Sequence, residues 1–129
     1  MLELQKWDAE ALGQLAPEAI AALYQPSYKF RVSHQKSASH TPFCGTGVGF
    51  TLYVLSGSCT VAPDWTSRPI LLRAREFCRV PRGGHVMAFP EPTEYIKVLE
   101  LPEEIWSQHE AAQQTVAADR REDAAPAER

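Results

Sequence analysis

The sequence predicts a mainly-β domain, a small sandwich or barrel preceded by short helices. Three observations carry that prediction. Six or seven short apolar runs follow one another from Tyr28 to Pro102, each bounded by Gly, Pro, Asp or Ser. Within the clearest of them, large apolar and polar residues alternate at the period of a strand. The punctuation between runs is that of turns, which argues for sheet on sheet over alternating strand and helix units.

The chain of 129 residues, 44% hydrophobic and 22% charged, has the size and composition of one soluble core. A net charge of −3 supplies no basic field, so nucleic acid is not an expected partner. No apolar run approaches the roughly 18 residues that a membrane span needs, and Glu3, Asp8 and Glu10 interrupt any leader-like segment. Cys44, Cys59 and Cys78 are widely spaced, which suits reduced, buried thiols in a cytoplasmic protein better than a disulfide framework.

Residues 1–26 read as a helical extension. Leu12, Leu15, Ala16, Ala19 and Leu23 recur at helical spacing, and Asp8 can cap the first turn. Pro17 breaks the pattern but suits a first helical position, so the segment reads as two short helices or one broken near Ala16. Residues 27–102 read as the barrel. "YKFRVS" is its first strand, "QKSASHTPFCGTGVG" has the composition of a loop, and "GFTLYVLSG" is the strongest strand signal in the chain. "SCTVAP", "PILLRA", "EFCRVP", "HVMAFP" and "YIKVLELP" complete the set. Residues 103–129 begin as a helix around Ile105 and Trp106 and continue as a polar tail expected to be disordered.

The pairing of "YVLSGSCTV" with "LRAREFCRVPRGGHV" resembles the cupin superfamily, in which a VL-x-G turn precedes a motif of the form G-(D/E)-x4-P-x-G-x-x-H. Tyr53, Val54, Leu55 and Gly57 match the first element; Glu76, Val80, Pro81 and Gly83 match the second. The resemblance spans Phe43 to Leu101 and implies a double-stranded β-helix, a jelly-roll barrel enclosing a cavity. It also implies a homodimer, which would cover an exposed edge strand.

Metal-binding cupins place a His-x-His pair and a glutamate before the VL-x-G turn. By the same spacing those positions hold Cys44, Thr46 and Phe50 here. Arg75 replaces the glycine of the second motif, and His85 stands one residue before the expected histidine position, now Val86. A one-residue slip on a regular strand would turn His85 out of the barrel unless a bulge restores it. The resemblance thus implies the scaffold without its usual metal, and no cofactor is expected.

Three functional readings remain open at the level of sequence. In the first, the barrel binds a small organic molecule, with Phe50, Leu52, Val54 and Met87 shaping the cavity and Tyr53, His85 or an arginine orienting the ligand. Arg31, Arg73, Arg75, Arg79 and Arg82 are the candidates for a carboxylate fork, set against a solvated outer face. In the second, His34, His40, Cys44 and His85 assemble a non-standard Fe, Zn or Ni site and the protein is an oxygenase, isomerase or lyase. In the third, a filled barrel uses its edges or the Trp65 hairpin to bind a protein. Trp7 and Trp106 are expected to seal the barrel ends.

Overall fold

The computed structural model describes residues 2–24, 29–105 and 107–108. The expected tail and Trp106 fall outside these residues. The chain runs β1 (Gln5–Lys6), α1 (Ala9–Leu12), α2 (Pro17–Tyr24), β2 (Phe30–Ser37), β3 (His40–Gly47), β4 (Phe50–Ser56), β5 (Ser58–Ala62), β6 (Ile70–Arg73), β7 (Glu76–Val80), β8 (Gly83–Phe89) and β9 (Thr93–Glu100).

The N-terminal helices form as the sequence indicates. Asp8 Oδ1 accepts from the backbone N–H groups of Glu10 and Ala11, each at 3.1 Å, and Pro17 opens α2. Yet the segment is no appendage, because β1 pairs with β7 and extends a sheet.

Two antiparallel sheets face each other, one ordered β1-β7-β4-β9-β2 and the other β3-β8-β5-β6. This is the two-sheet, jelly-roll arrangement that the sequence predicts. β3 departs from the reading, since its Ser, Thr, Gly and Pro composition indicated a loop and it is a strand paired with β8. Edge placement explains the difference. β3 has a partner on one side only and is mostly exposed, so it needs little apolar content, and a register shift between His40 and Phe43 accommodates Pro42.

Phe50, Leu52, Val54, Cys59, Val61, Leu72, Cys78, Val80, Met87 and Phe89 are essentially fully buried between the sheets. The outer face of the larger sheet carries a second core, where Tyr53, Ile96 and Val98 pack against Trp7, Leu15 and Ile20. β4 and β9 are therefore buried on both faces. Trp7 packs on that outer layer, edge-on to Tyr53, and donates to the Gly13 carbonyl at 2.7 Å, so it does not seal a barrel end.

Both motif turns have the backbone their glycines imply. At Gly57 φ is +85°, and a Cβ there would stand 2.5 Å from the Pro92 carbonyl and 2.6 Å from Thr93 Oγ1. Arg75 occupies the glycine position of the second motif and keeps the left-handed conformation at φ +70°. Its N–H donates to Val54 and its carbonyl accepts from Trp7, both at 2.8 Å, which holds it there.

Candidate functional site

His85 begins the site. Strand alternation puts it on the same face of β8 as Met87 and Phe89, toward the interior, and Val86 on the outer face. The feared slip is absent because β8 starts at Gly83, whose φ of +122° prevents alternation from running on from Pro81. His85 packs edge-on to Phe50 with ring centroids 5.0 Å apart. Its ring lies against β3 at Gly45, its ladder partner, where an added Cβ would stand 2.7 Å from Nε2. A glycine at position 45 makes room for the imidazole.

Lys97 completes the cluster. Its ladder partner on β4 is Leu52, which faces the core, and its Nζ lies 4.4 Å from the centre of the Phe50 ring. Burial holds the ammonium below its ordinary lysine value, and burial followed by the Lys97 charge holds His85 below its own. Among the described residues no carboxylate pairs with Lys97. Ser33 stands opposite Lys97 on β2, and Arg31 and Gln35 share that face. Tyr95 donates to Gln35 Oε1 at 2.7 Å and Gln35 donates to Ser33 Oγ at 2.9 Å, so the polar row is tied into the interior.

This cluster lies beside two mostly exposed edge strands. β2 ends one sheet and β3 the other, and their facing sides carry Arg31, Ser33 and Gln35 against Gly45 and Gly47. Ladder parity places no Asp or Glu on the inner faces of β2, β3, β4, β8 or β9. The result is a partly exposed inner surface that carries Arg31 and Lys97 and no carboxylate on these strands.

The other expected site residues fall in different places. Phe50, Leu52, Val54 and Met87 are on the inner face but closely packed, forming core where cavity walls were expected. Tyr53 points the opposite way from Phe50, Leu52 and Val54; its hydroxyl lies 2.7 Å from that of Tyr24, and burial raises its pKa. It orients a helix, and the cleft does not receive it.

His34 is on the outer face of β2, 2.7 Å from Glu94. His40 packs against Phe43 and Phe89 at the far end of β8, roughly 13 Å from His85 at strand rise. Cys44 is exposed, on the outer face beside Val86. Hence His34, His40, Cys44 and His85 are not brought together, and no group of three His, Cys, Asp or Glu suited to a metal exists among the described residues. Of the arginines, Arg79 is on the outer face and binds Glu100 through two 2.7 Å hydrogen bonds.

Sequence reasoning missed Lys97. In "YIKVLE" it reads as the solvent-facing residue of an alternating strand, because Ile96 and Val98 occupy the apolar positions. Those two face the helices instead, a reversal that follows from a strand covered on both sides. The interior thiols offer no nucleophile: burial pushes Cys59 up to about 12 and Cys78 to about 11.

No known protein-family profile and no curated protein sequence matches the chain. Solved structures do match in fold. A DUF861 family protein from Thermotoga maritima aligns at a TM-score of 0.54 with 17% identity over 77% of this chain and 99% of its own. A cupin superfamily protein from Desulfitobacterium hafniense aligns at 0.51 with 13% identity, covering 79% of each chain. The EutQ protein of Clostridium difficile aligns at 0.51 with 14% identity, over 79% of this chain and 69% of its own.

Proposed function

We propose that this chain, a cupin fold by structure, binds a small organic carboxylate in the cleft between β2 and β3. The supporting observation is Lys97, a half-buried ammonium with no carboxylate partner among the described residues. Removing an ammonium from water is costly, and a quadrupole contact with Phe50 repays only part of that cost. An incoming carboxylate supplies the missing counter-charge. His85, held neutral by burial and by Lys97, can share a hydrogen bond with it, and Arg31 at the rim offers a fork.

A resident transition metal does not fit this cleft. The inner positions of β3 are Phe43, Gly45 and Gly47, Phe50 stands where the family pattern has its glutamate, and an ammonium adjoins the one imidazole. Such ions take three or more N, O or S ligands. The reading is therefore of a binding module, and the homodimer belongs to the same proposal, supported by β2, which among the described residues pairs on one side only and has Phe30 and Val32 exposed.

Titration calorimetry with pyruvate, succinate and benzoate tests the reading. At least one should bind, and Lys97→Met should weaken it by at least about tenfold, the loss of one charge-assisted hydrogen bond. Unchanged affinity in the variant removes the proposal.

A further inference from the structure

On the opposite side of the barrel a second cleft has no role in the reading above. β6 there lies against β7, and Leu2 approaches the edge between the sheets. The space is about 490 Å³, within the range of small-ligand pockets, and its described lining is Leu2, Pro63, Ser67, Arg68, Pro69 and Ile70. Leu2 and Ile70 are continuous with the barrel core, so the floor is apolar. Arg68 is exposed at the rim and makes no ion pair among the described residues.

The loop carrying Arg68 is held in shape. Asp64 Oδ1 accepts from the Thr66 N–H at 2.9 Å, the Thr66 hydroxyl at 2.8 Å and the Ser67 N–H at 2.7 Å. Pro63 and Pro69 fix the backbone on either side. A loop already ordered loses little entropy on presenting its guanidinium to a ligand.

We propose that this cleft is a separate binding site for an apolar monocarboxylate, with the acid group on the Arg68 guanidinium and the hydrocarbon over Leu2, Ile70 and the two prolines. Shape and charge select the class together. The apolar floor rewards a chain or ring of several carbons, and a planar, rigid fork suits a carboxylate. Among the described lining residues Arg68 is the one cation, which matches a single negative charge.

The test uses the intact chain with octanoate as probe and octanamide as its uncharged counterpart, followed by amide chemical shifts. Octanoate should shift the amide resonances of Ser67, Arg68 and Ile70 and leave those of Ser33, Gly45 and Lys97 in place. Arg68→Met, an exposed substitution, should weaken octanoate by about tenfold or more and leave octanamide unchanged. Lys97→Met should not affect octanoate, so this site stands or falls apart from the cleft at β2 and β3. Octanoate that shifts the Lys97 region instead, binds Arg68→Met as tightly as wild type, or fails to bind at millimolar concentration overturns the proposal.

Discussion

At position 45 a hydrogen atom decides where His85 can lie. The Gly45 Cα stands so near the imidazole that a methyl group would meet Nε2 at 2.7 Å, and Phe50 packs edge-on against the same ring. Gly45→Ala should lower stability by about 1–3 kcal/mol, as overpacking does, and His85→Ala in the same chain should recover most of that loss. Thermal melts of the two single variants and the double variant measure the coupling; additive effects would place the ring elsewhere. His85 also sets a pH response. Its folded pKa lies below the unfolded 6.5, so the unfolded chain binds the proton more readily. The stability this supplies is fully present above pH 6.5 and is lost as pH falls from there toward the lowered folded value. Wild type should therefore lose more stability than His85→Gln between pH 7 and pH 5 in denaturant titrations, and equal losses would contradict the burial of the ring.

At the scale of elements, composition revealed the strands that need apolar residues and concealed the one that does not. β4 and β9 were legible because burial on both faces demands Phe, Leu, Val and Ile. β3 was not, since an edge strand is held by backbone pairing with β8 and can be built of His, Thr, Pro and Gly. That loss hid the site, because it is β3 that turns Cys44 outward and Gly45 inward. Alternation also could not say which face of β9 met the core, and Lys97 was lost with it. Edge strands carry the assembly proposal: among the described residues the eight-residue strands β2 and β3 each pair on one side only, and both are twice the length of the edge strand β6. Sedimentation velocity over a range of concentrations should show a dimer, whereas a monomer throughout would mean that the edge is protected by other means.

For the whole molecule, two short turns carried more information than overall composition. Gly57 packs where no side chain fits, and the left-handed position before Glu76 persists even though Arg75 fills it. Fold was thus readable from backbone requirements that survive substitution. The site was less readable because it depends on which residues two sheets bring face to face, and single-strand patterns do not contain that information. What emerges is a packed core beside which Arg31, Ser33, Lys97 and His85 share the inner face of the β2 and β3 side, with no carboxylate on those strands. The most direct test is an amide chemical-shift titration with the tightest-binding of pyruvate, succinate and benzoate. The account predicts that the largest shifts fall on Ser33, Gly45, His85 and Lys97 while Glu94 and Arg79, on the outer face, stay still; shifts confined to the outer face, or none with any of the three, would contradict it.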